Sequence, residues 1–401
     1  MRGLSLTAAG TLLLITACGG GDDINFEPKA TNTPTNTPTP TKTPTPLPLE
    51  VIHSFAADGN DGEYPNAGLV ADGAGNFYGT TSQGGTSSKG TVFKITDAGV
   101  LTNLYSFAGS DGANPQAELA VDGAGNFYGT TTAGGRYGTG TVYKINSAGD
   151  FTLLHSFGVG TDGDSPYKGL VAAGAGDFYG TTLLGGASRK GTVFKITAAG
   201  AVTTLHSFAE SDGANPYAKL VVDGAGDFYG TTMYGGASDS GTVFKITAAG
   251  VLTSLYSFSV SDGAYPYAKL VVDGATGNFY GTTFYGGESN RGTVFKMTAA
   301  GVLTTLHSFA GSDGTTPLVG LVADGAGNFY GTTYNGGTSD NGTVFKITAA
   351  GVLTSLYSFS GSDGAYPYAE LVVDGATGYL YGTTLTGGAN DLGTVFRIPM
   401  Q

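Results

Sequence analysis

Cysteine and tryptophan are the first things missing: Cys18 is the only cysteine in 401 residues, and tryptophan does not occur. One thiol cannot form an internal disulfide framework, so a fold held by disulfides is excluded. Without tryptophan the chain also lacks the residue most often stacked on sugars. Charge is scarce as well. Only 12% of residues are charged, and 31 acids outnumber 18 Lys and Arg, for a net charge of −13. Phosphate backbones demand a basic face, so nucleic acid is not an expected partner. From residue 49 onward no apolar run is long enough to cross a membrane as a helix.

The ends are informative. Arg2 is followed by an apolar stretch from Leu4 to Ala17 and then Cys18, which reads as a secretory signal at 1–17. The residues Leu14-Ile15-Thr16-Ala17-Cys18 resemble a bacterial lipobox, in which Cys18 takes the lipid; an ordinary signal with a coincidental cysteine is the plainer alternative. Gly19 rather than Asp after the cysteine favours the outer membrane if the source is Gram-negative. Residues 18–48 then run through a Thr/Pro alternation, PKATNTPTNTPTPTKTPTPLP, with almost nothing to bury. Such a segment is expected to be a disordered, extended stalk, reaching ~60 Å at ~3.1 Å per residue. The expected location is the cell envelope, exported and lipid-anchored at the outer membrane or surface.

Residues 49–401 carry an internal repeat. Gly-Thr-Thr begins at Gly79, Gly129, Gly180, Gly230, Gly281, Gly331 and Gly382, 50 or 51 residues apart. Each copy contains four runs rich in β-branched and aromatic residues, typified by AKLVVD, DFYGTT, GTVFKIT and LHSF. We label them strands a to d. Gly, Asp, Asn and Pro fill the gaps. Four strands per repeat, seven times over, predict an all-β fold: a seven-bladed β-propeller. A first d-type run, Val51–Phe55, precedes any a strand, and the last copy stops after its c strand. The N-terminal strand is therefore expected to complete the last blade and close the ring. The motifs LVxDGxGNFYGTT, the following GG, and GTVFK resemble the GloVer tandem-repeat family of exported bacterial proteins with varied surface anchors. That resemblance spans about residues 49 to 400, implies a propeller-like body, and implies no particular reaction.

Within one chain, positions identical in all seven copies serve the blade, and copy-specific residues are where distinct chemistry can reside. His53, His155, His206 and His307 share one strand d position with Tyr105, Tyr256 and Tyr357, which points to aromatic packing with a polar tip rather than a catalytic base. With Cys18 lipidated, neither a Ser-His-Asp nor a Cys-His apparatus is expected. Lys94, Lys144, Lys195, Lys245, Lys296, Lys346 and Arg397 share a strand c position, read as pairing within the blade or reaching solvent. A D-G-x-x-P loop opens at Asp61, Asp111, Asp162, Asp212, Asp262, Asp313 and Asp363, read as a rigid turn. Calcium is its rival there but is not favoured, one carboxylate per loop being too few, and no cofactor is expected.

The b–c loops vary most: SQGGTSSK, TAGGRYGT, LLGGASRK, MYGGASDS, FYGGESNR, YNGGTSDN and LTGGANDL. Their Tyr137, Tyr234, Tyr285 and Tyr334, with Arg136 and Arg291, are the candidate ligand contacts, since exposed Tyr and Arg favour recognition. Copy-specific acids include Glu63, Glu118, Asp164, Glu210 and Glu288, but nothing in the sequence brings two together as a glycosidase requires. The sequence favours a non-enzymatic module that binds a protein or glycan, anchored to the membrane through its lipid and acting as a monomer. An exported glycosidase or lyase, and a purely structural envelope component, are the alternatives.

Overall fold

Each repeat folds into one four-stranded antiparallel sheet, and seven such sheets form the ring. The computed structural model describes residues 48–401, apart from 58–60, 159 and 175. The signal segment, Cys18 and the Thr/Pro stretch up to residue 47 lie outside the described residues. In blade 4 the strands are Val221–Val222, Phe228–Thr232, Thr242–Ile246 and Leu252–Ser257. Strand a is shorter than its apolar run suggests. The residues before it make no ladder; Ala218 and Lys219 line the axis, where seven inner edges converge and side chains take the place of a partner strand, and Leu220 turns into the blade core.

The repeated motifs have steric causes. Gly230 pairs across the sheet with Phe244, and a Cβ there would lie 2.6 Å from the ring's Cζ and 2.8 Å from Leu220 Cδ2. The aromatic ring of strand c lies over the glycine of Gly-Thr-Thr, which is why no side chain is tolerated at that site. Two positions on, Thr232 Oγ1 meets Thr242 Oγ1 at 2.8 Å, and the same pair recurs at 2.8 Å in every blade. Strand c is buried on both faces, with Val243, Phe244 and Ile246 all at 0% exposure, as expected of a sheet flanked by two others.

Adjacent blades are held by side chains. The strand b tyrosine of one blade packs on the strand b phenylalanine of the next: Tyr78 on Phe127, Tyr128 on Phe178, Tyr179 on Phe228, Tyr229 on Phe279, and Tyr280 on Phe329, with ring centroids 4.0–4.4 Å apart. Tyr381 of the last blade does the same to Phe77 of the first at 4.2 Å. Closure is completed by the N-terminal strand Glu50–Ser54, which pairs antiparallel with Thr394–Pro399. Arg397 Nη2 reaches Glu50 at 2.7 Å, and Thr383 donates to the Pro65 carbonyl at 3.0 Å. The lone N-terminal outer strand and the incomplete last sheet thus satisfy each other.

The histidine series also finds its partner. His53, His155, His206 and His307 each place Nε2 2.8–3.2 Å from the Asp that opens the D-G-x-x-P loop of the same copy. Tyr105, Tyr256 and Tyr357 donate to that Asp at 2.5 Å. The same carboxylates accept backbone N–H groups, as from Ala209 to Asp212 at 2.8 Å. The shared polar tip is a brace for the loop. The strand c cations lie over the strand b tyrosines at 5.1–5.9 Å, and Lys195 and Lys245 also pair with Asp177 and Asp227.

The Gly–aromatic contact predicts a position-specific loss. Gly230→Ala is expected to lose about 1–3 kcal/mol of unfolding free energy through overpacking. Gly224→Ala, where a Cβ meets nothing within 4 Å, is expected to be near neutral. Equilibrium denaturant unfolding of both variants checks this; equal losses would refute the steric account.

Candidate functional site: an aromatic basin above a charged hub

The D-G-x-x-P loops deliver the chain to the axis. The residue before each proline has positive φ in all seven copies, from 54° at Asn114 to 59° at Tyr64. At Tyr265 the backbone N–H donates to Ser240 O at 2.9 Å, and the carbonyl accepts from Phe284 N at 3.1 Å. Neighbouring b–c loops thus fix both backbone groups of this residue and support its left-handed conformation. The three residues after each proline then enter the hub, and these differ between copies. In the first position stand Asn66, Gln116, Tyr167, Tyr217, Tyr267, Leu318 and Tyr368. In the third stand Gly68, Glu118, Gly169, Lys219, Lys269, Gly320 and Glu370.

The third position builds a charge network. Lys219 Nζ sits 3.1 Å from Glu118 Oε1, Lys269 Nζ sits 3.6 Å from Glu118 Oε2, and Lys269 also pairs closely with Glu370. The intervening glycines make room. A Cβ at Gly320 would come within 2.6 Å of Glu370 Oε1 and 3.0 Å of Lys269 Cγ; one at Gly169 would strike the Glu118 carbonyl at 2.3 Å. These four charged side chains retain 15–24% of their surface, and they line a cavity of about 30 Å³. Burial works to raise the Glu118 pKa, but Lys219 and Lys269 outweigh it and bring it to about 2. For Lys269 burial acts downward, and Glu118 and Glu370 overcome it and raise the ammonium well above its ordinary value.

Lys168, from blade 3, adds a third cation with no carboxylate of its own. Its ammonium faces the rings of Tyr167, Tyr217 and Tyr368 at 5.9, 5.3 and 5.2 Å. Burial pushes it down to about 8, against the upward pull of Glu370 and Glu118.

Above this layer the channel is roofed and opens into a basin. Tyr217 and Tyr368 hydrogen-bond hydroxyl to hydroxyl across the axis at 2.6 Å. Tyr217, Tyr267, Phe284, Tyr285, Tyr334 and Tyr368 line a pocket of about 470 Å³, together with Leu183, Met233, Thr316, Leu318 and Asn335. Tyr265 and Tyr366, the left-handed residues before their prolines, back it: Tyr265 edges Tyr285 at 6.1 Å and Tyr366 stacks on Tyr334 at 5.0 Å. The basin is one-sided. Blades 3 to 6 supply Leu183, Met233, Phe284 and Tyr334 as the first b–c loop residue, where blades 1 and 2 have Ser82 and Thr132.

Of the residues singled out in the loops, Tyr285 and Tyr334 line this basin, and Tyr234 borders it through Tyr265 at 5.2 Å. Tyr137 and Arg136 lie on blade 2 with the guanidinium 5.3 Å from the ring, exposed and outside the pocket, and Arg291 is exposed on its own loop. The residues missed are those after the prolines, Glu118 excepted, and Phe284 of the b–c loop. Copy-to-copy comparison of the hub positions would have exposed them, as it did the loops.

The hub does bring two copy-specific acids together, Glu118 and Glu370, which the sequence gives no reason to expect. Their geometry does not suit glycoside hydrolysis. Both are bridged by lysine, the cavity between them has room for about one water, and Glu118 is held low where a general acid needs a raised pKa. Burial raises the Tyr267 phenol to about 12, with neighbouring Tyr234 and Tyr285 adding to the effect, so the basin offers neutral hydroxyls. Among the described residues no three His, Cys, Asp or Glu side chains cluster to hold a metal ion.

Removing one hub partner leaves buried cations uncompensated. Glu118→Gln is expected to destabilise the protein by about 3–5 kcal/mol at pH 7. Because the folded pKa lies below the ordinary 4.5, Glu118 stabilises fully above about pH 5 and progressively less as pH falls toward 2. The Tm difference between wild type and variant is therefore expected to shrink from pH 6 to pH 3. A gap that stays constant would overturn the assignment.

Comparison with known proteins places this architecture. Among solved structures, the extracellular domain of BT4673, a candidate one component system of B. thetaiotaomicron, superimposes with a TM-score of 0.58 at 13% identity, covering 88% of this chain and 42% of that one. PorZ, a surface component of the Porphyromonas gingivalis type-IX secretion system, gives 0.53 at 14% identity over 86% of this chain and 48% of that one. A candidate 6-phosphogluconolactonase of Bacteroides uniformis gives 0.50 at 14% identity, covering 83% and 96%. This chain spans less than half the length of the first two, and at such identities the likeness is one of fold. No curated protein matches the sequence. The Gloeobacter/Verrucomicrobia repeat matches twice in tandem, at residues 39–225 and 210–396, and the chain belongs to that repeat family.

Proposed function

We propose that this propeller is a non-enzymatic recognition module of the bacterial exterior and that the aromatic basin is its ligand site. The observation that carries the reading is convergence: Tyr217, Tyr267, Phe284, Tyr285, Tyr334 and Tyr368, all from positions that differ between copies, meet in one pocket of about 470 Å³. That volume falls within the range of small-molecule sites, ~300–1,000 Å³. Ring faces with neutral hydroxyl edges suit a ligand that has flat apolar faces and a polar rim, which is the chemistry of a sugar ring. Tyrosine takes the stacking role that the missing tryptophan leaves open. A glycan is therefore the ligand class we favour; a protein partner would need ~800 Å² of contact and would have to spread over the loops beyond the pocket. Exposed Tyr137, Arg136 and Arg291 then stand as outlying contacts for a longer ligand. Export and lipidation at Cys18 would put the site outside the cell, which agrees with the extracellular domain and surface component among the structural neighbours.

A glycan array probed with the protein, followed by calorimetry on any hit, tests this. Tyr267→Ala and Tyr285→Ala are each expected to weaken binding about tenfold, the equivalent of ~1.4 kcal/mol. Tyr137→Ala is expected to change it less than twofold for a short ligand. Binding that survives both basin substitutions would move the site elsewhere, and no binding to any glycan would remove the ligand class.

A further inference from the structure

The hub's charges do not balance. Glu118 is paired with Lys219 and Lys269, and Glu370 with Lys269, which leaves Lys168 as a surplus positive charge at the same cavity. Its ammonium faces the rings of Tyr167, Tyr217 and Tyr368, whose quadrupoles supply no countercharge. The carboxylates that act on it, Glu370 and Glu118, are already paired with other lysines. A buried cation in excess is costly unless it loses its proton or gains an anion. The cavity offers room for the second. It measures about 30 Å³ and is lined by Lys168, Lys219, Lys269 and Gln116, together with Glu118 and Glu370, whose carboxylates are held by the other two lysines. So small a space suits a monatomic anion better than sulfate, phosphate or a carboxylate. We propose that the hub cavity is a specific site for one halide ion, chloride in solution, which neutralises Lys168 beneath the Tyr217–Tyr368 roof.

This site is separate from the basin and does not depend on what the basin binds. Its function would be structural: an ion that binds the closed ring and not the unfolded chain stabilises by mass action. The test uses the whole protein at pH 7 and constant ionic strength, with sodium chloride or bromide replaced stepwise by sodium gluconate. Wild type is expected to gain about 2–4 °C in Tm, saturating with halide. Lys168→Met is expected to show equal Tm values in all three salts, and comparison with it removes general salt effects. Crystals grown in bromide are expected to give one anomalous peak at the hub, a readout independent of any variant. A wild-type Tm that is the same in halide and gluconate overturns the proposal. So does a bromide peak without any halide-dependent Tm, which would mean an adventitious ion only.

Discussion

The contact on which everything else rests is the tyrosine of one strand b lying on the phenylalanine of the next. Each blade is a separate hydrogen-bonded sheet, so the ring has no backbone ladder running around it. What joins neighbouring blades is packing, helped by loop hydrogen bonds such as Tyr265 N–H to Ser240 O, and these pairs sit at its centre, each with ~0.5–1.5 kcal/mol beyond its burial. The junction between blades 6 and 7 departs from the rule. Leu380 replaces the phenylalanine, and Tyr330 donates instead to the Gln401 carbonyl at 2.7 Å, with Lys346 at the same oxygen. That junction adjoins the blade assembled from both ends of the chain, and the terminal residue is fastened where the aromatic pair is absent.

Much of this was legible in the sequence because a repeat exposes its own constraints. A Gly beside Thr-Thr in seven copies can only be a blade requirement, and Phe244 over Gly230 shows which. The His/Tyr alternation likewise announced a polar tip, and the loop Asp supplies its partner. Strand a was less legible. Its run of apolar residues looks like six residues of sheet, but only the last two or three pair. Alternation of apolar and polar side chains marks a strand only where a neighbour strand exists, and at the axis none does on one side. Leu220 is repeated in every copy because it packs in the blade core, but the three residues before it are free to vary, and that freedom is where the hub and the basin were hidden.

The structure divides labour by distance from the axis. The strands and short turns are nearly identical from blade to blade and hold the ring. The segments after the prolines and the b–c loops are not identical, and they meet at one end of the channel. Seven-fold repetition alone would give seven equal, shallow sites around the axis. Placing polar residues on blades 1 and 2 and mostly aliphatic and aromatic ones on blades 3 to 7 turns the same scaffold into a single asymmetric basin. Function on such a fold belongs to the departures from the repeat, as expected where many activities share one architecture.

The charged hub follows from the same need for asymmetry. A plug of leucines would fill the axis as well, and buried ion pairs are poor sources of stability compared with apolar packing. Their geometry is more exacting than packing, however. Glu118 of blade 2 reaches Lys219 of blade 4 past Gly169, and Lys269 of blade 5 meets Glu370 of blade 7 past Gly320. Shifting the ring by one blade would set Lys against Lys or place a side chain where only glycine fits. Near-identical blades could otherwise pair in the wrong order, as repeat proteins are prone to do. The ion pairs that contribute little to stability thereby select one arrangement of seven similar parts, and the same arrangement puts Tyr217 and Tyr368 opposite each other beneath the basin.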